Sequence, residues 1–277
     1  MRSCLKVSAS DFSPVGQRLL QALEGLGCEF GLERSFKISA DGVNHDRFAA
    51  LLHKGAFGPD AALRIASLMH ALAMPADLRD RFLALLDQAE FVHFGFEGPD
   101  RVKIYLELGR AHPKDGAEAR TLIHLAAKWR PNSDEAPAVS RYFNPAMART
   151  VSGAEHRLGT LFANGAGMPS VALARAILMK LVRTGAQDCF FFMEVEDEGA
   201  PRLSFDLNIY PAELAVADFE GAIRALLAAY HVPVPASEAL LAASRAHAFG
   251  HVSGGLGRRG VDFTTIYYGM RPHRGRA

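Results

Sequence analysis

The stretch RVKIYLEL sets Arg101, Lys103, Tyr105 and Glu107 at every second position, with Val102, Ile104, Leu106 and Leu108 between them. A period of two predicts a β-strand with one polar and one apolar face, because successive side chains leave a pleated backbone on opposite sides. RLSFDLNIY has the same rhythm: Arg202, Ser204, Asp206, Asn208 and Tyr210 share one face, and Leu203, Phe205, Leu207 and Ile209 the other. Each segment has an extended partner just before it. FVHFGFE is separated from RVKIYLEL by Gly98-Pro99-Asp100, and CFFFMEVE from RLSFDLNIY by Asp197 to Pro201, both suited to a hairpin turn. TLIHLAAKWRP with AVSRYFNP, and HVSGGLG with VDFTTIYYG, read as two further pairs, and EFGLERSFKIS as an extended stretch near the amino terminus.

Between these segments the apolar spacing lengthens to that of amphipathic helices. Ser13-Pro14 opens a helix that Gly25 and Gly27 close. Stripes of Phe48, Leu51 and Leu52, of Ile65, Met69 and Leu72, and of Leu78, Phe82, Leu85 and Leu86 predict helices in the next section. Others are predicted from about Ala154 to Asn164, Pro169 to Arg183, Phe219 to Tyr230 and Ser237 to His247. Gly109 to Arg120 is too short for a helix pair.

Hairpins joined by helices give antiparallel strands, which argues against a Rossmann-type parallel sheet. The apolar strand faces then pack under the helices and the polar faces point away from them. An open sheet would leave those polar groups in solvent. A closed cylinder would gather them in a lumen and remove the exposed edges.

The 277 residues, 49% hydrophobic and 22% charged, suffice for a substantial core and are assigned to one domain, 1–277. Lysine and arginine total 31 against 30 acidic residues, a net charge of +1, which argues against a nucleic-acid partner. With no signal-peptide core and no long apolar run, a cytoplasmic protein with no membrane partner is expected. Cys4, Cys28 and Cys189 are widely separated and read as ordinary thiols. The histidines show no ligand spacing, and GxSxG, P-loop and HExxH motifs do not occur. GGLGRRG reads as a glycine-rich turn with a bulge rather than a phosphate nest.

On the polar strand faces lie Lys37, Lys103, Tyr105, Arg202, Tyr210 and Tyr267, with Lys128, Arg130 and Tyr142 assigned beside them. Glu33, Glu97, Glu107, Glu194, Glu196 and Asp206 join them. Cations with phenolic hydroxyls suit a diphosphate, whose oxygens accept charge-assisted hydrogen bonds and gain charge on departure. Tyrosine faces would shield an allylic cation.

LERSFKISADGVNHDRF, Leu32 to Phe48, resembles the amino-terminal motif of the cyanobactin-type peptide prenyltransferases through Leu32, Glu33, Ser35, Lys37, Ile38, Asp41, Arg47 and Phe48. The resemblance implies an α+β fold of the ABBA type, a closed antiparallel β-barrel of consecutive hairpins surrounded by α-helices. It also implies transfer of a dimethylallyl or geranyl group from its diphosphate to a ribosomally made peptide. By the same resemblance Glu33 is the general base, Arg47 and Lys103 bind the diphosphate with Tyr105 beside them, and Tyr142, Tyr210 and Tyr267 or Tyr268 are the later tyrosines. Lys128 and Arg202 complete the expected substrate-binding set. Magnesium, if used, would be bound through the diphosphate. The acidic residues favour an arginine acceptor over tyrosine or tryptophan. The alternatives are a prenyltransferase of small aromatic molecules and a non-catalytic barrel that binds an amphipathic ligand.

Overall fold

The computed structural model describes residues 11–109, 119–163 and 167–274. Cys4, Asn164 and most of the segment from Gly109 to Arg120 lie outside them. The chain begins with helix α1 (Pro14–Glu24), then strands β1 (Glu29–Ser39), β2 (Gly42–Asn44) and β3 (Arg47–His53). Helices α2 (Ala61–Ala71) and α3 (Ala76–Leu83) lead to β4 (Phe91–Glu97), β5 (Arg101–Glu107), β6 (Arg120–Trp129) and β7 (Ala138–Pro145). Next come α4 (Val151–Leu161), α5 (Pro169–Thr184), β8 (Phe191–Asp197) and β9 (Ala200–Asn208). The last elements are α6 (Glu220–Ala229), α7 (Val234–Ser244), β10 (Phe249–Leu256) and β11 (Asp262–Arg274).

Strands β1 and β3 to β11 pair antiparallel with their neighbours in chain order, and β11 returns to pair with β1. The result is a closed ten-stranded barrel, with β2 attached only to β1. The barrel is the expected one: the four predicted hairpins take part, and the extended stretch near the amino terminus, β1, pairs with β3 to make a fifth. The short connection between β5 and β6 does not interrupt closure, because β5 pairs directly with β6 from Val102–Trp129 to Glu107–His124.

The stripe of Phe48, Leu51 and Leu52 is not a helix: it is β3, the partner of β1 and β4. Phe48 and Leu52 point with Ala50 into the helix-covered core, whereas Ala49 and Leu51 line the lumen. A barrel wall that is apolar on both faces has no polar phase to reveal its period, so a short run is ambiguous between helix and strand.

Helices cover the outside of the barrel in two core clusters. The first joins α1, α2 and α3 to β3–β6; the second joins α4–α7 to β8–β11 and the carboxyl half of β1. Trp129 on β6 donates its indole N–H to the Leu72 carbonyl at 2.9 Å and so ties that strand to the end of α2. Gly16 lets α1 lie directly on β4, since a Cβ there would stand 2.7 Å from the Phe96 ring. Among the described residues, no helix is long and apolar enough to cross a membrane.

Candidate active site

Alternation on β5 answers the question posed by its sequence: Val102, Ile104 and Leu106 are buried under helices, while Lys103, Tyr105 and Glu107 line the lumen. The polar face is the interior one. The lumen has two halves of opposite character, which meet at Tyr105, Tyr142 and Tyr267.

The half nearer the hairpin turns has a cavity of about 260 Å³ and is cationic. Glu97 lies at its centre. Its carboxylate is 2.6 Å from Lys103, 3.0 Å from Arg47, 3.2 Å from Lys128 and 3.6 Å from Lys37. Arg47 also donates to the Ser35 hydroxyl at 3.2 Å. Arg202 belongs to the same half, 3.2 Å from Asp197, which Arg258 also contacts at 2.5 Å.

Burial by itself would raise the pKa of Glu97, but Arg47, Lys103, Lys128 and Lys37 overrule it and hold the carboxyl well below its usual range. Lys37 is pushed down to about 8, first by burial and then, against the pull of Glu97, by the neighbouring cations. Lys103 and Lys128 are lowered in the same sense, by burial above all. One carboxylate shared among four cations leaves them short of negative charge. Nη1 of buried Arg47, although close to Glu97, has no aligned hydrogen-bond acceptor among the described residues. Such a cluster has the chemistry that would suit an anion.

Aromatic rings cross the waist of the barrel. Tyr105 and Tyr142 meet edge to face with centroids 5.9 Å apart, and His124 meets Tyr142 in the same way at 5.7 Å. His251 stacks on Tyr267 at 3.8 Å. Burial raises the Tyr105, Tyr142 and Tyr267 phenols, so these rings remain neutral. Their faces carry partial negative charge towards whatever lies between them.

Glu33 is 2% exposed and belongs to the second half. One carboxylate oxygen accepts from the Tyr210 hydroxyl, and the other lies 3.3 Å from Nε2 of His251. Nδ1 of His251 is 2.8 Å from Asp206. Burial would lower the pKa of His251, but Asp206 and Glu33 raise it to about 10, so an imidazolium bridges two carboxylates at neutral pH. The other oxygen of Asp206 is buried with no hydrogen-bond partner among the described residues. Around this group lies a cavity of about 790 Å³, walled by Phe30, Phe91, Ile123, Phe190, Phe191, Met193 and Met270, which runs to the rim opposite the hairpin turns.

Gly250 brings these groups together. A Cβ there would overlap the Tyr210 hydroxyl and lie 2.7 Å from a Glu33 carboxylate oxygen. Gly250→Ala is therefore expected to displace both and to lower any turnover at least about tenfold, leaving any affinity of the cationic half for pyrophosphate unchanged. Steady-state rates beside a pyrophosphate titration check this, and equal losses in both would show general disruption instead.

The structure brings together Glu33, Arg47, Lys103, Tyr105, Lys128, Tyr142, Arg202, Tyr210 and Tyr267, all lining the lumen. It moves some of the expected neighbours. Tyr210 does not continue β9; it starts a 3-10 turn, Tyr210–Ala212, and reaches Glu33 rather than the cations. Tyr267, not Tyr268, faces inward, because Tyr268 packs in the helix layer. Arg130 sits at the rim, paired with Asp100 at 2.9 Å.

Glu194 and Glu196 are not in the lumen. Glu194 meets Arg157 of α4 at 2.6 Å, and Glu196 pairs with Arg120 outside the barrel. On β8 Phe191 and Met193 face the apolar half of the lumen and Asp197 the cationic half, while Glu194 and Glu196 hold the outward phase. Sequence reasoning missed His93, His124, His251 and Asp197. The histidines occur singly in FVHFGF, LIHLAA and FGHVSG, where each holds the polar phase of an otherwise apolar strand, and that phase was the available signal.

No family model matches the sequence, and neither does any curated protein. Solved structures do resemble the fold. 5-Dimethylallyltryptophan synthase from Streptomyces coelicolor aligns with a TM-score of 0.57 at 12% identity, covering 86% of this chain and 80% of its own. PriB, in its binary complex with product diphosphate, aligns at 0.54 and 14%, covering 88% and 82%. AnaPT from Neosartorya fischeri aligns at 0.52 and 9%, covering 89% and 79%. At such identities the likeness is one of fold: this chain has the closed, helix-wrapped ABBA barrel of these prenyltransferases.

Proposed function

We propose that this chain is a prenyltransferase that moves an allylic group from its diphosphate to an acceptor held in the apolar half of the barrel. The observation that carries this reading is the division of the lumen: cations gather at one end, Glu33 faces the other, and neutral tyrosines lie between. PriB, a relative by fold, was solved with product diphosphate, which also supports a diphosphate donor. Arg47, Lys103, Lys128, Lys37 and Arg202 hold the diphosphate oxygens. The bond from the allylic carbon to the bridging oxygen breaks, and its electron pair leaves with the diphosphate, whose growing charge the cations stabilise. Tyr105, Tyr142 and Tyr267 flank the cationic carbon. The acceptor attacks that carbon and Glu33 takes the proton it sheds.

The acceptor in this proposal is a peptide side chain, with arginine favoured. A cavity of about 790 Å³ open at its rim admits more than a small ring. The Asp206 oxygen that has no hydrogen-bond partner among the described residues lies close to Glu33 through His251 and favours an acceptor with an N–H donor, which a guanidinium supplies and a phenyl ring does not. The phenylalanine-rich wall favours a second reading, transfer to a small aromatic acceptor.

A magnesium ion does not suit the donor set: Glu97 faces four cations, and Asp197 is engaged by Arg202 and Arg258. The cations replace the metal in this reading, and turnover is expected to fall less than about twofold in excess EDTA. The central experiment incubates the protein with C5 or C10 diphosphate and either arginine-containing or arginine-free peptides, phenols or indoles, and reads prenyl mass gain. Equal gain on arginine-free peptides would remove arginine, gain only on phenols or indoles would select the aromatic acceptor, and no gain anywhere would leave a binding protein.

A further inference from the structure

Glu97 has no part in the chemistry just described, yet it occupies the middle of the anion site. It is 7% exposed and lies within 3.6 Å of Lys37, Arg47, Lys103 and Lys128, which reach it from β1, β3, β5 and β6 while it stands on β4. Here a single carboxylate serves four, and a bound diphosphate has to share those cations with it.

Two consequences follow from elementary electrostatics. Without ligand, Glu97 keeps the cations from repelling one another apart, so the site is preformed. With ligand, its negative charge lies beside that of the diphosphate and opposes it at short range in a poorly solvated space. A site of cations alone would hold the leaving group tightly and release it slowly.

We infer that Glu97 is an internal counter-anion, which organises the empty site and weakens its grip on diphosphate enough for the leaving group to depart. This rests on the donor site proposed above. Glu97 is thus a positioning residue that sets affinity through the cations and touches no reacting atom.

The test is calorimetric titration of the full chain with inorganic pyrophosphate, without acceptor. Glu97→Gln is expected to bind pyrophosphate at least about tenfold more tightly than wild type. In turnover it should lower the KM for the donor and kcat together, with stronger product inhibition by pyrophosphate. Glu97→Asp, which keeps the charge, should return the affinity to within about threefold of wild type. A residue that only organises the cations predicts the opposite sign, weaker binding and a higher KM.

Because Glu97→Gln leaves buried cations uncompensated at a cost in stability, the charge-balanced double variant Glu97→Gln/Lys37→Met is measured as well. It should bind pyrophosphate at least as tightly as wild type. Binding tenfold weaker in the double variant, or unchanged or weaker binding in the single one, overturns the inference. If wild type binds no pyrophosphate, the donor site fails with it; if wild type binds and Glu97→Gln is no tighter, only the role of Glu97 fails.

Discussion

Glu33→Gln is expected to lower prenyl transfer by about 10²- to 10⁴-fold, the range lost when a positioned general base is removed. Donor affinity should change by less than about twofold, because Glu33 lies in the half of the lumen away from the cations. The amide keeps the shape of the side chain but offers one acceptor oxygen where the carboxylate has two. Tyr210 and His251 both depend on that carboxylate, so a buried hydrogen bond is lost at a cost of about 1–3 kcal/mol in stability. Melting curves therefore accompany the kinetics. Wild-type turnover in a folded Glu33→Gln variant would place the base elsewhere, with Asp206 next to be examined. A binding protein would have no turnover to lose.

Arg47→Gln should produce the second large effect, on the donor. Arg47 is 2% exposed and is the cation here that combines a planar fork, a hydroxyl partner on Ser35 and a contact with Glu97. Losing two charge-assisted hydrogen bonds to a diphosphate corresponds to about 100-fold in affinity or more. Breaking a buried ion pair also costs about 3–5 kcal/mol of stability, here reduced because three lysines still face Glu97. Arg47→Lys keeps the charge without the fork and should fall between the two. Pyrophosphate titration performed well below each variant's melting temperature separates the effects. A lowered melting temperature with unchanged pyrophosphate affinity would reduce Arg47 to a structural role.

The parts of this barrel that were legible are those where one strand face is wet and the other dry. Lys103 and Tyr105 could be assigned to a polar face, and Arg202 likewise, because Val102, Ile104, Leu203 and Phe205 mark the opposite one. The Leu32 to Phe48 motif resolves into the same alternation. Glu33, Ser35, Lys37 and Arg47 face the lumen side, while Leu32, Ile38 and Phe48 are buried in the helix-covered core.

Legibility failed where the lumen itself is apolar. Polarity then no longer distinguishes inside from outside, so β3 passed for a helix and Glu194 and Glu196 for interior groups. The grouping of Glu33, Asp206 and His251 was hidden for another reason. Glu33 and His251 are 218 positions apart and meet only because β11 closes on β1 while pairing with β10.

Each half of the lumen extends to its own rim, one bounded by Asp41, Arg101, Arg130 and Arg259 near the hairpin turns, the other by Glu29, His53, Asp188 and Pro272. In the proposed reaction the two reactants would thus have separate doors. An acceptor too long to be swallowed whole would stay threaded at one end while the spent leaving group escaped through the other, and a fresh donor would follow by the same route.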